Sequence, residues 1–325
     1  MFSCKIGSAW EIFAPAKLNL YLEVVGPRAK GFHPLETLMV PVRIYDQLRW
    51  IDYPTGTAKR SETPGDRLQI ENFLASDRSS DSQLEIQADN LVLKAVHKLA
   101  QIAGVEPRGS FQLIKRIPIQ AGLGGGSSDA AAALLLANKA WKINYSRQRL
   151  SQIAAGIGSD VPFFLSSGPA ICRGRGEQVD PIAGLPRLHF IIIKPPVGLS
   201  TPKVFEQLTV SDLSASDLQT ASSARLNLLV EALRKGAVAN AGQWMLNRLE
   251  NAAEQLSPWI AQLRGIFSQL GCWGHFMTGS GTAYVGLMRS ARQARTVARS
   301  IAGMSIAGMP NTRLGMGSVF ATSTC

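Results

Sequence analysis

Hydrophobic and polar positions alternate through residues 10 to 25. Leu18, Leu20, Leu22 and Val24 fall on one face of a predicted strand, and Lys17, Asn19 and Tyr21 on the other. A turn from Gly26-Pro27 to Gly31 leads to a second strand-like run at 38 to 51. Residues 54 to 83 are rich in Pro, Ser, Thr, Asp and Arg and read as a long surface loop or insertion. Apolar residues then recur at helical spacing, with Leu93, Val96, Leu99, Ala100 and Ala103 between a cap at Asp89 or Asn90 and a stop at Gly104. A strand over 111 to 117 delivers the chain to a glycine-dense loop and an alanine-rich helix, and Ser146 opens a further helix ending near Gly156 to Gly158.

Beyond Gly174 the pattern changes. A buried-looking strand at 188 to 194 is followed by a turn-rich stretch, a Ser-rich connector at 211 to 223 and helices from 225 to 270. Strands at 272 to 277 and 283 to 287 flank the glycine turn Thr278-Gly279-Ser280-Gly281. An arginine-bearing helix and a last strand near 313 to 321 complete the chain. Strands mixed with paired helices, without a regular βαβ repeat, predict an α+β fold. The length of 325 residues predicts two domains, divided as 1–174 and 175–325.

The segment I-P-I-Q-A-G-L-G-G-G-S-S-D-A-A-A, from Ile117, reads as a phosphate cradle. Gly122, Gly124, Gly125 and Gly126 admit backbone angles closed to other residues, so a ligand can approach main-chain amides. Ser127 or Ser128 is placed to cap a helix that Asp129 begins, and its N-terminus carries partial positive charge suited to phosphates. Neither common phosphate loop fits the spelling. The glycine pair Gly26 and Gly31 is followed by Phe32 and His33, so a Walker A lysine is missing, and the third glycine position of a Rossmann loop holds Ser127.

If the loop holds a nucleoside triphosphate, phosphoryl transfer needs an in-line acceptor, a cation and a group to receive the acceptor's proton. Lys17 supplies a cation for the acceptor oxygen or the transferring group. Asp160, just past a helix end, is the candidate base, and the sequence leaves open whether it removes the proton or mainly orients the hydroxyl. Lys115, two residues before the loop strand ends, is a further candidate for the nucleotide.

Composition narrows the class of partner. The chain carries 34 Lys and Arg against 23 Asp and Glu, a net charge of +11, which suits anionic ligands without choosing between nucleotide and nucleic acid. The stripe Arg289, Arg292, Arg295 and Arg299 lacks interleaved aromatics and reads as a solvated face. No apolar run reaches the ~20 residues of a membrane span. Cys4, Cys172, Cys272 and Cys325 are scattered, as are His33, His97, His189 and His275, so spacing proposes no metal cluster, and a reducing cytoplasm is expected.

Four motifs in order resemble the GHMP small-molecule kinases: P-A-K-L-N-L at 15–20, P-I-Q-A-G-L-G-G-G-S-S-D at 118–129, G-S-D-V-P-F at 158–163 and T-G-S-G at 278–281. G-F-H-P-L-E-T at 31–37 is similar to the branch of that family that acts on 4-diphosphocytidyl-2-C-methyl-D-erythritol in the non-mevalonate route to isoprenoids. The resemblance implies a two-domain fold, with an N-terminal half like ribosomal protein S5 domain 2 and a ferredoxin-like α/β C-terminal half. It also implies ATP-dependent phosphorylation of the erythritol 2-hydroxyl with Lys17 and Asp160 as the catalytic pair.

The same resemblance places the ATP phosphates on Pro118, Ile119, Gln120, Ala121, Gly122, Leu123, Gly124, Gly125, Gly126, Ser127 and Ser128. Asn19, Gly279 and Ser280 fall at the substrate and second glycine turn. A cytosine between two rings beside a histidine carries over to Phe32, His33 and Phe205, and Phe32 stands where many relatives have tyrosine. Mg2+ is expected with ATP, its ligands not identified by any carboxylate pair. No membrane or nucleic-acid partner is expected, and the chain is expected to be a monomer or weak homodimer. A GHMP kinase for homoserine, mevalonate or a sugar and a basic RNA-binding protein are the alternatives.

Overall fold

A computed structural model describes all residues except 7–8, 30, 52–67, 73–89, 108, 167, 209–214 and 303–316. The chain opens with strands β1 (Phe2–Ile6), β2 (Ala9–Val24), β3 (Leu35–Ile51) and β4 (Leu68–Asn72), then helix α1 (Leu91–Ala103) and β5 (Ser110–Lys115). Helices α2 (Gly125–Ala140), α3 (Arg147–Ala155) and α4 (Val161–Leu165) follow, then β6 (Ala170–Gly174), β7 (Gln178–Pro181) and β8 (His189–Lys194). Next come α5 (Thr201–Glu206), α6 (Ala215–Arg234), α7 (Val238–Ala241), β9 (Leu246–Asn247), α8 (Glu250–Leu256) and α9 (Pro258–Gln269). Strands β10 (Gly274–Met277) and β11 (Tyr284–Met288), helix α10 (Ala291–Ala302) and β12 (Ser318–Ser323) complete the order.

The chain forms two compact units that no single cut in the sequence separates. One contains residues 1–16, 44–117 and 124–167, the other 17–43, 118–123 and 168–325. Both β2 and β3 therefore begin in one unit and end in the other.

In the first unit β1 pairs antiparallel with the start of β2, the end of β3 pairs antiparallel with β5, and β4 lies parallel to β5. Asn90 caps α1 by accepting from the Val92 amide, and Gly104 ends it in the left-handed conformation, as the sequence predicted. Asp89, the other predicted cap, lies outside the described residues. Ser146 likewise caps α3 by accepting from Arg149. Helix α2 packs against α1 and α4. Ala130 to Ala133 are wholly buried, so their small side chains let this helix sit deep in its unit.

In the second unit β10, β11, β8 and β12 form a four-stranded antiparallel sheet. The start of β3 pairs with β6, and β6 with β7. The core joins Leu22 and Val24 of β2 to Ile191 and Ile193 of β8, Ile260, Leu263 and Phe267 of α9, and Tyr284 of β11. The predicted connector at 211–223 is corrected in part: α6 already begins at Ala215 and runs through Arg225, while 211–214 lie outside the described residues. The polar segment 54–83 falls outside them too, apart from β4, a strand where a loop was expected. Of the last predicted strand, 313–316 lie outside, and β12 continues to Ser323.

Candidate active site

The alternation of β2 places Lys17, Asn19 and Tyr21 on one side of the strand, and all three are buried. Lys17 is 3% exposed, and a buried ammonium needs hydrogen-bond partners because losing water is costly. Its amine donates to Asn19 Oδ1. The Asn19 backbone N–H donates to Thr278 Oγ1 at 3.0 Å, and its side-chain amide donates to Thr37 Oγ1 at 2.9 Å. Lys17 Nζ lies 3.1 Å from where a side chain on Gly279 would begin, so the amine stands beside the glycine turn.

That turn and the first half of the phosphate loop pack backbone against backbone within the second unit. Gly122 has φ +77°, and a Cβ there would lie 2.0 Å from the Thr278 carbonyl oxygen. A side chain at Gly281 would overlap the Gly122 nitrogen in the same way, at 2.0 Å. Glycine is thus required by contact as well as by angle. The Ala283 amide donates to Ala121 O at 3.2 Å, and the Lys17 amide to Leu123 O at 2.9 Å. Asn247 fixes the turn from below, its amide donating to Met277 O and Gly279 O at 2.7 Å each. Thr201 and Ser280 share a hydroxyl hydrogen bond of 2.6 Å. Pro118 is buried, whereas Ile119 and Gln120 are exposed at the loop's leading edge.

The second half of the loop belongs to the first unit and corrects one expectation. Helix α2 begins at Gly125, four residues before Asp129, with Gly124 at the cap in the left-handed conformation and no side-chain cap. Ser128 is already inside the helix, its amide bonded to Gly124 O at 2.9 Å. A glycine that turns the chain by its own backbone replaces the serine cap. The Gly125, Gly126 and Ser127 amides therefore occupy the helix end, where no intrahelical acceptor exists.

Below this end, Lys115 bridges two buried carboxylates. Its amine donates to Asp46 and to Asp129 Oδ2, the latter at 2.7 Å. Asp46 Oδ1 also accepts from the Arg116 and Ile117 amides at 2.5 and 2.8 Å, which anchors the chain as it enters the loop. Burial opposes the charge on Lys115, but Asp129 and Asp46 together hold its pKa above the ordinary value. Burial pushes Asp129 up to about 7, Lys115 opposing and Asp46 adding to the rise. The side chains of Asp129 (Oδ1) and Ser128 (Oγ) are buried without a hydrogen-bond partner among the described residues.

Asp160 stands at the head of α4 and is partly exposed, its carboxylate not used as a cap. The Ser159 hydroxyl donates to its Oδ1 at 3.4 Å. In the other unit, Ala29 and Phe32 close a tight turn through mutual backbone hydrogen bonds of 2.8 and 3.0 Å. Phe32 is 53% exposed, with the Arg175 guanidinium 4.9 Å from its ring centroid. His33 stacks on Phe205, with centroids 5.7 Å apart and planes at 16°. The structure thus pairs His33 with Phe205 and Phe32 with Arg175.

Sequence reasoning missed Thr37, Thr278, Asn247, Asp46 and Asp129 as parts of this site. Thr37, Thr278 and Asp129 lie within the motifs already quoted, whereas Asn247 and Asp46 gave no local signal. Among the described residues no three His, Cys, Asp or Glu side chains cluster to hold a metal ion, and no helix is long and apolar enough to cross a membrane.

Residues 90–168 match the family model for the GHMP kinases N terminal domain, and residues 229–305 that for the GHMP kinases C terminal. The chain is 34% identical over 286 residues to the 4-diphosphocytidyl-2-C-methyl-D-erythritol kinase of Pelotomaculum thermopropionicum, covering 88% of this chain and 91% of the relative. It is similar to a crystal structure of 4-(cytidine 5'-diphospho)-2C-methyl-D-erythritol kinase, with 30% identity, a TM-score of 0.70, and 96% and 98% of the two chains covered. A homoserine kinase from Cytophaga hutchinsonii shares the fold at a TM-score of 0.67 and 19% identity, covering 93% and 91%.

Proposed function

The chain belongs to the family of 4-diphosphocytidyl-2-C-methyl-D-erythritol kinases within the GHMP kinases, and we propose that Lys17 and Asp160 are the pair that carries its phosphoryl transfer. It is an ATP-dependent small-molecule kinase that phosphorylates the 2-hydroxyl of 4-diphosphocytidyl-2-C-methyl-D-erythritol, in the non-mevalonate route to isoprenoid precursors. The observation that carries the proposed roles is the buried Lys17 amine beside Gly279, in the turn packed on the phosphate loop.

In this reading the amides of residues 122–127, at the open end of α2, receive the triphosphate. The substrate 2-hydroxyl attacks the γ-phosphorus, the bond to the β,γ-bridging oxygen breaks, and ADP leaves. Asp160 takes the hydroxyl proton, and the Lys17 ammonium offsets charge on the transferring group. Phe32, His33 and Phe205 receive the cytosine. A stacked base is worth about 1–3 kcal/mol in nucleic-acid sites, enough to favour a cytidyl substrate over homoserine or mevalonate.

Mg2+ bound with ATP would supply positive charge to offset that of the phosphates. The orphaned Ser128 hydroxyl and Asp129 Oδ1 at the start of α2 are oxygen donors of the kind such an ion takes, and Ser128 and Asp129 are the residues we assign to it. We place the reaction in the cytoplasm, a reading supported by four cysteines scattered along the chain without the density of a disulfide scaffold.

Purified protein given ATP, Mg2+ and the diphosphocytidyl alcohol is expected to release ADP, with no turnover on homoserine or mevalonate. Asp160→Asn is expected to lower kcat by roughly three orders of magnitude with nucleotide affinity unchanged. Equal loss of nucleotide binding would make Asp160 structural, and turnover of the other alcohols in place of the cytidyl substrate would sink the substrate assignment.

A further inference from the structure

We infer that Thr37 is a positioning residue that sets which way round the Asn19 amide sits, and through it the seat of the Lys17 amine. The inference deepens the reading of Lys17 above and rests on it.

A hydroxyl has one proton to give. Thr37 Oγ1 lies 2.5 Å from the Tyr21 carbonyl oxygen, which can only accept, so the Thr37 proton is committed there. The lone pairs of the same oxygen then face Asn19 at 2.9 Å and require its NH2 end. The carbonyl end of that amide is thereby turned to Lys17, whose ammonium can only donate. Reversing the amide would set oxygen against oxygen at Thr37 and N–H against ammonium at Lys17.

Water cannot relieve either clash, because Lys17, Asn19 and Thr37 are 3%, 1% and 0% exposed. The polarity therefore runs one way from the Tyr21 carbonyl to the amine. Its far end is fixed as well. Glu36, next to Thr37 on β3, is buried and accepts from Arg173 at 2.9 Å and from Ser222 of α6 at 2.7 Å, while the Tyr21 hydroxyl donates to Ser222 Oγ at 3.1 Å. The site uses Thr37 for its acceptor, which a β-branched apolar residue of the same shape would lack.

The test compares Thr37→Val, Thr37→Ser, Asn19→Ala and the Thr37→Val, Asn19→Ala double variant by steady-state kinetics with ATP, Mg2+ and the cytidyl substrate, together with thermal melts. Thr37→Val is expected to lower kcat roughly tenfold to a hundredfold with KM for ATP within about twofold. Thr37→Ser restores kcat to within about threefold of wild type, and Thr37→Val adds nothing in the Asn19→Ala background. Should Thr37→Val fail to fold, Thr37→Ala carries the same comparison. Wild-type kcat in the valine variant, a serine variant as impaired as valine, or additive losses in the double variant would overturn the inference. Lys17→Ala separates the two levels: if it keeps full turnover the reading of Lys17 is lost, and if it abolishes turnover while Thr37→Val is normal, only the role of Thr37 is lost.

Discussion

At the scale of single residues, the site depends on atoms that have no room to be anything else. Gly122 combines φ +77° with a carbonyl 2.0 Å from the place of a Cβ, so Gly122→Ala has to move either the phosphate loop or the turn at Thr278. Backbone strain of this kind costs on the order of 1–3 kcal/mol. The variant is therefore expected to melt earlier and to bind ATP more weakly by at least tenfold in titration calorimetry, and unchanged ATP affinity would contradict the packing argument. Gly122 and Lys17 were legible in the sequence because glycine density and strand alternation are local signals. Asn247, Asp46 and Thr37 were not read, since their partners lie 30, 69 and 18 positions away and no short-range pattern encodes such a pairing.

At the scale of elements, caps were readable wherever one side chain does the capping. Asn90 and Ser146 hold their helices as predicted, and Asn90→Ala is expected to cost about 1 kcal/mol in chemical denaturation. Helix α2 began earlier than expected because its cap is a backbone conformation at Gly124, which leaves no side-chain signature. The same helix carries Asp129 into a buried pair of carboxylates around one amine, and this gives it a pH dependence. With the Asp129 pKa raised from near 4 to about 7, the folded chain holds a proton that the unfolded chain has released across that window. Asp129 therefore contributes stability at low pH that is lost as pH rises through about 7. Urea denaturation is expected to show Asp129→Asn gaining on wild type between pH 4.5 and 7.5, and a difference that stays constant over that range would argue against the shift.

At the scale of the whole molecule, the order of motifs along the chain reports the family but not how the chain is divided into compact bodies. The family models match residues 90–168 and 229–305, two separate stretches of the sequence. Yet the second compact unit takes in residues 17–43 and 118–123, and its core seats Leu22 and Val24 among Ile191, Ile193 and Tyr284. A fragment of residues 175–325 would lack that β2 segment, and each fully buried aliphatic side chain contributes about 1.5–3 kcal/mol. Domains of this size are held by margins of only about 5–15 kcal/mol, and two core residues alone are worth about 3–6 kcal/mol of it, so a fragment that lacks all of residues 17–43 and 118–123, with the β2 pairing to β9, loses most of its margin. Expressed alone, 175–325 is expected to show no cooperative thermal transition by near-ultraviolet circular dichroism. Adding residues 17–43 and 118–123 in an intact chain restores it, and a sharp transition in the isolated fragment would show that β2 is dispensable to the core built around it.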